Sequence, residues 1–216
     1  MSNAALSHSD GPHPRTAANM GSIVAVVLAI WLAAVVYLSA SGALVTPPGE
    51  PPLRILIAVI GPLAVFFAAF WTSRSFHEFV ATADLRLVNA IQAWRAGGLV
   101  FLAFYAYGLL PGLFAWPAGA GDIAIGVTAP WIVLSLIRRP GFASSAAFRL
   151  WNWLGLLDLV VAIGLGALGS AVATGLPGEI TTAPMALLPL VLIPAYLVPI
   201  FAMLHFAALY QARRPS

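Results

Sequence analysis

The sequence predicts an all-α membrane protein, a bundle of six transmembrane helices with N- and C-termini in the cytoplasm. Three observations carry that expectation: composition, the length of the apolar runs, and the one-sided placement of arginine. Of 216 residues, 61% are hydrophobic and 8% are charged. A soluble domain carries about 45–50% apolar and about 25% charged residues. So few charges cannot keep a surface wet, so lipid must cover most of it. The apolar runs approach the ~20 residues that a helix needs to cross a bilayer.

Residues 1–20 are polar and lack an apolar period, and read as a disordered cytoplasmic tail. The first span runs from Gly21 to Val45. It exceeds the roughly 7–15 residues of a signal-peptide core, so a retained helix is expected. Ala40-Ser41-Gly42-Ala43 also resembles a cleavage site, and cleavage there would leave five helices. Thr46-Pro47-Pro48-Gly49-Glu50-Pro51-Pro52 is a turn, since stacked prolines remove donors and clash with a preceding helical turn. The second span is Arg54 to Trp71, followed by a polar connection from Thr72 to Arg86. The third is Val88 to Leu110, ended by Pro111-Gly112 and Trp116-Pro117. The fourth is Asp122 to Ile137, stopped by Arg138-Arg139-Pro140-Gly141. The fifth is Arg149 to Gly169, and the sixth is Ala186 to Tyr210. The transmembrane domain is thus 21–210, with 211–216 as a short basic tail.

All ten basic residues are arginine. With six spans, one side receives Arg15, Arg74, Arg86, Arg138, Arg139, Arg149, Arg213 and Arg214. The other receives Arg54 alone, and Arg95 lies inside a span. Arginine excess marks the cytoplasmic side, which places both termini there. Five or seven spans would scatter these arginines. Trp71, Trp116, Trp151 and Trp153 fall near span ends, where indole rings favour the headgroup zone.

The three outer hairpins are weakly similar. Each has a glycine late in its first helix, a Pro/Gly turn, and a proline midway down its second: Pro62, Pro130, and Pro189 or Pro194. Pro189, Pro194 and Pro199 interrupt the sixth helix, giving either a bent packing helix or a hinge that lines a ligand site. Gly97, Gly98, Gly121, Gly126, Gly155 and Gly164 are expected to let helices approach closely.

Several chemistries are excluded. There is no cysteine, which removes disulfides, thiolate metal sites and cysteine nucleophiles. There is no lysine for a retinal Schiff base. GxSxG, Gly-rich phosphate loops, paired glutamates on one helix and acidic metal clusters are missing. The net charge of +3 is not gathered into a nucleic-acid patch. No motif implies a cofactor.

Charge inside a bilayer costs about 2.5–3.5 kcal/mol per residue, so Arg95 and Asp158 carry the most information. A rise of about 1.5 Å per residue puts Arg95 roughly 10 Å, Asp158 roughly 13 Å and His205 roughly 7 Å from the cytoplasmic span ends. Gln92 lies one turn from Arg95, and Asn152 lies at a similar level. The expectation is a polar cluster of Gln92, Arg95, Asn152, Asp158 and His205 in the cytoplasmic half. It is either an ion pair locking two helices or a site for a proton, an ion or a small anionic ligand. Asp122 reads as the N-cap of the fourth helix. With Glu50 and Glu179 it supplies one acid per outer loop, a candidate vestibule. His77 and His205 are weak candidates for a metal or an axially ligated haem, without recognised spacing.

The segments GLLPGLFAWPAGAGDIAIGVTAP, WNWLGLLDLVVAIGLGALGS and LPLVLIPAYLVPIFAMLH, within Gly108 to His205, resemble a group of small uncharacterised bacterial multi-pass integral membrane proteins. That resemblance covers about half the chain. It implies a helical architecture and a bacterial inner-membrane location, and it transfers no activity. The expected function is binding or translocation of a small solute or proton, more consistent with a non-enzyme. The alternatives are an accessory subunit, paired with a membrane partner or a second copy, and a haem or metal protein.

Overall fold

The computed structural model describes residues 14–214, and among these the chain is helical with no strand. Six helices are long and apolar enough to cross a membrane: Asn19–Ala40, Leu53–Thr72, Leu85–Ala106, Gly112–Arg138, Ala146–Ala171 and Ile193–Ala212. Residues 1–13 of the expected tail lie outside the described residues. Helix α1 (Pro14–Ala40) starts seven residues before the expected Gly21.

Local chemistry sets the boundaries. α1 is followed by Gly42, and the span before residue 108 is followed by Gly108; both glycines adopt positive φ, the left-handed geometry that closes a helix C-terminus. Pro51 and Pro52 precede α2 (Leu53–Thr72). Ser73 then ends α2 and caps α3 (Arg74–Thr82), its Oγ accepting from the Phe76 N–H at 3.3 Å. Asp84 caps α4 (Leu85–Ala90) by accepting from the Arg86 N–H at 2.8 Å. Such caps satisfy amides that the helix itself leaves free.

The third span is not uniform. α4 passes into a 3₁₀ stretch, Ile91–Gly98, and then into α5 (Leu99–Ala106). α6 (Gly112–Arg138) carries Pro117 and Pro130 inside it, and α7 (Ala146–Ala171) starts at a Ser145 cap. The last span opens with a π turn, Ile193–Leu197, and continues as α8 (Val198–Ala212).

Two expected boundaries are corrected. The fourth helix begins at Gly112 rather than Asp122, because Pro117 is absorbed about 7–8 Å into a membrane helix instead of breaking it. The sixth begins at Ile193 rather than Ala186, with Pro189 in the turn ahead of it. Pro194 and Pro199 each withhold an N–H, and the wider π winding lies where those donors are missing.

Chain direction gives the bundle two ends. The connections at 41–52, 107–111 and 172–192 gather at one end, where Gly49 lies against the Ala173 carbonyl and Gly175 against Pro48. Arg54, at that end, donates to the Val45 carbonyl at 2.7 Å. The connections at 73–84 and 139–145 gather at the other, arginine-rich end. There α3 lays Phe76, Phe79 and Val80 on Phe66, Phe70 and Ala207. Gln211 fastens α3 by donating to the Val80 and Ala83 carbonyls at 2.9 and 3.0 Å.

The tryptophans divide. Trp71, Trp116 and Trp153 face outward, but Trp151 is buried, contrary to the headgroup expectation. Its indole N–H donates to Thr128 Oγ1 at 2.8 Å, which satisfies it inside the bundle.

Candidate functional site

The site is built on the 3₁₀ stretch. Three residues per turn bring positions i and i+3 into line along a helix. Asn89, just ahead of the stretch, and Gln92, Arg95 and Gly98 follow that spacing, and all four are buried. A stripe of polar groups therefore runs down the inward face of the third span. Gln92 Nε2 donates to the Phe201 carbonyl at 3.1 Å. Asn89 Nδ2 donates to the Leu85 carbonyl at 2.7 Å.

Arg95 is the hub, with a side chain sealed from the surface. Its Nε donates to Asp122 Oδ1 at 2.6 Å, and its Nη2 donates to Asp158 Oδ2. Nη1 turns the other way, donating to the Gly155 carbonyl at 3.2 Å and to His205 Nε2 at 3.1 Å. A guanidinium has no acceptor, so His205 Nε2 must be the unprotonated nitrogen. Its Nδ1–H then donates to Asn152 Oδ1 at 2.9 Å. Asn152 Nδ2 donates in turn to the Phe148 carbonyl at 3.0 Å. Four of the five guanidinium N–H groups thus meet acceptors, and the histidine ring is neutral. Phe201 lies below the guanidinium at 5.9 Å, and Trp151 meets the His205 ring edge-on at 5.5 Å.

The structure thus brings together Arg95, Asp158, His205 and Asn152 by direct bonds, with Gln92 one turn along the stripe. It also adds Asp122, which the sequence reading had placed elsewhere. Asp122 is neither an N-cap nor an outer-loop acid: it lies ten residues into α6, roughly 15 Å from the helix start. The cluster also sits nearer mid-span than expected. The third and fifth spans begin at Leu85 and Ala146, earlier than Val88 and Arg149, so their polar residues lie deeper.

Glycines make the cluster fit. A Cβ on Gly155 would collide with the His205 ring, one on Gly121 with the Asp158 carboxylate, and one on Gly98 with Asp122. At Gly126 it would meet the backbone of Arg95 and Ala96. Gly97 and Gly164 face open space, so the expected packing role does not extend to them.

A cavity reaches this centre from the arginine-poor end. At that end it is lined by Val45, Thr46 and Pro52 from one connection and by Thr182 and Ala183 from another. Its walls are apolar, with Val59, Phe101, Leu159, Ala162 and Val198 among them. Asp122 is the charged residue that borders it. The space open to water centres is about 90 Å³. One water needs roughly 10–15 Å³ on that measure, so several waters or one small solute fit. Pro194 and Ile193 of the last span line the cavity, which places the proline-rich turn against it.

The remaining candidates lie apart from the centre. Glu50 is exposed in the connection before α2. Glu179 accepts from the Thr174 and Gly175 N–H groups, both at 2.8 Å, and from Thr174 Oγ1 at 3.0 Å. The Thr174 amide, followed by the other donors, holds its carboxyl below the usual glutamate range. Glu179 thus ties its own loop, and without Asp122 the three-acid vestibule does not form. His77 bonds Tyr210 Oη through Nε2 at 2.7 Å and approaches the Phe70 carbonyl through Nδ1 at 3.4 Å. Both ring nitrogens of His77 and of His205 are engaged by separate partners. Among the described residues, no group of three or more His, Cys, Asp or Glu side chains is placed to hold a metal ion.

No curated protein and no solved structure matches this chain. A family model described as a domain of unknown function (DUF8737) matches residues 52–213. That range takes in α2 through α8, and so the whole charge centre and nearly all of the cavity wall, while α1 precedes it. The chain belongs to the DUF8737 family.

Proposed function

We propose that this is a multi-pass membrane protein that binds, and passes on, a small solute or proton at the Arg95–Asp122–Asp158 centre. The observation that carries the reading is the cavity that leads from the arginine-poor loops to Asp122. A cluster that served only to lock helices would need no such approach. The arginine bias supports an orientation with both termini in the cytoplasm, so the cavity opens outward. Resemblance to small bacterial membrane proteins supports the bacterial inner membrane as its location.

The chain contains no cysteine, so single cysteines test the reading cleanly. Ala162 lines the cavity one turn from Asp158, whereas Val160, two residues away, faces outward and is 65% exposed. A charged, water-soluble thiol reagent is expected to modify Ala162→Cys and to spare Val160→Cys in the membrane. Failure to modify Ala162→Cys would mean a sealed centre and would favour the accessory-subunit reading instead.

A further inference from the structure

We infer that the ligand of this cavity is a small monovalent organic cation, an apolar body bearing one ammonium-type charge, which sits head-down on Asp122 and exchanges with a single proton. The inference rests on the cavity being a binding site and adds the chemical class of its occupant.

Charge balance is the first argument. Arg95 faces two carboxylates, and the His205 ring adds no charge because its Nε2 accepts from Arg95. With both carboxylates ionised the centre carries one uncompensated negative charge. The groups facing Asp122 come from each element packed around it. The 3₁₀ stretch brings Arg95, α7 brings Asp158, and α8 brings His205 through Arg95. α2 and α5 bring only apolar walls, with Ile55, Leu56, Val59 and Phe101. A lone charge in a low-dielectric bundle is costly, so a single added positive charge restores balance. An anion would worsen the excess, and a neutral solute would leave it in place.

Shape and ligand chemistry narrow the class. Asp122 Oδ1 is taken by Arg95, while Oδ2 has no protein partner among the described residues and the side chain borders the cavity. One free carboxylate oxygen suits one ammonium head. A hard metal ion would require about six oxygen ligands. The hydroxyls in the wall belong to Thr46, Ser170 and Thr182, toward the arginine-poor end and away from Asp122, and Thr182 Oγ1 already donates to the Gly166 carbonyl at 2.7 Å. The long apolar wall fits the body of an amphipathic amine, since ligand sites pair apolar walls with few polar groups.

The exchange conserves charge. Without a cation, one carboxyl of the pair holds a proton. When the cation binds, that O–H bond breaks, the electron pair stays on the carboxylate oxygen, and the proton leaves to water at the arginine-poor end. Nothing is oxidised or reduced.

The test uses the full chain purified in detergent, with benzyltrimethylammonium and its uncharged isostere neopentylbenzene as probes. Equilibrium binding is read beside proton release in weak buffer. The cation is expected to bind on the order of a hundredfold more tightly than the isostere. It should release about one proton, and its affinity should fall about tenfold per pH unit on the acid side. Asp122→Asn should lose cation binding and proton release yet keep the isostere, which also shows that the variant is folded. Asp122→Glu should restore part of the cation affinity. Equal binding of the two probes, binding of neither, absent proton release, or full cation affinity in Asp122→Asn would overturn the inference. If Ala162→Cys is still modified, only the ligand class has failed. If it is not modified, the binding-site reading itself has failed.

Discussion

The two halves of the bundle are built in opposite ways around one charge centre. Toward the arginine-poor end, apolar walls stand apart and leave a cavity that touches Asp122. Toward the arginine-rich end, Asn89, Gln92, Asn152 and His205 are all buried and fill the interior with polar side chains. There His205, Asn152 and the Phe148 carbonyl form a continuous run of hydrogen bonds behind Arg95. The difference teaches that polar residues do not mark the open path here. They hold the guanidinium from behind, while the approach runs through apolar surface. An arginine fixed by four N–H bonds is a scaffold; each carboxylate gives it one oxygen, and Asp122 is the one of the two that borders the cavity.

The largest effect should come from removing the scaffold. Arg95→Leu leaves two carboxylates facing each other without a counter-charge and is expected to cost about 3–5 kcal/mol, read as a large drop in melting temperature in detergent. Replacing Arg95 and Asp158 together does not cure this, because Asp122 remains. The triple Arg95→Leu/Asp122→Leu/Asp158→Leu should recover most of the stability while losing ligand binding. A triple variant that still binds would show that the centre only locks helices.

The next effect separates close approach from open space. Gly155→Ala drives a Cβ into the His205 ring and should cost about 1–3 kcal/mol of overpacking. Gly164→Ala meets nothing within 4 Å and should be neutral or slightly stabilising in the same thermal assay. Equal costs at the two positions would contradict the packing described around His205.

A smaller effect is expected in the arginine-rich half. Gln92 Oε1 is a buried acceptor without a protein donor, although Nε2 bonds Phe201. Gln92→Met gives up one bond and relieves one unmet acceptor, so its cost should stay within about 1 kcal/mol by chemical denaturation. The smallest effect lies in the loops. Glu179 has a lowered pKa in the folded chain, so its tie to the Thr174 amide persists above the ordinary glutamate range and is lost only as pH falls through that lowered value. The Thr174 amide shift should follow this titration in NMR, and in Glu179→Gln it should not titrate.

Much of this organisation was legible in the chain itself. Long apolar runs and Pro/Gly turns gave six spans, and the costliest buried charges, Arg95 and Asp158, do meet. Asp122 was misplaced because Pro117, Gly119 and Gly121 read as a loop. In a membrane helix such residues are tolerated, since neighbouring helices supply partners and glycine admits close approach. The signal that would have found it is the spacing of Gly119, Asp122 and Gly126, an acid flanked by small residues on one helix face. The 3₁₀ winding of 91–98 had no sequence signature, and neither did the cavity. Both arise from packing between helices that are far apart in sequence.

The comparison of the two halves is tested most directly by thiol labelling from each side of the membrane. Ala162→Cys in the cavity and Asn89→Cys in the polar half, each the only cysteine in its chain, are exposed to an impermeant reagent in right-side-out and inverted vesicles. Modification of Ala162→Cys from the face opposite the termini, with Asn89→Cys protected from both faces, is the predicted result. Modification of Asn89→Cys, or protection of Ala162→Cys from that face, would contradict a charge centre open to one side only.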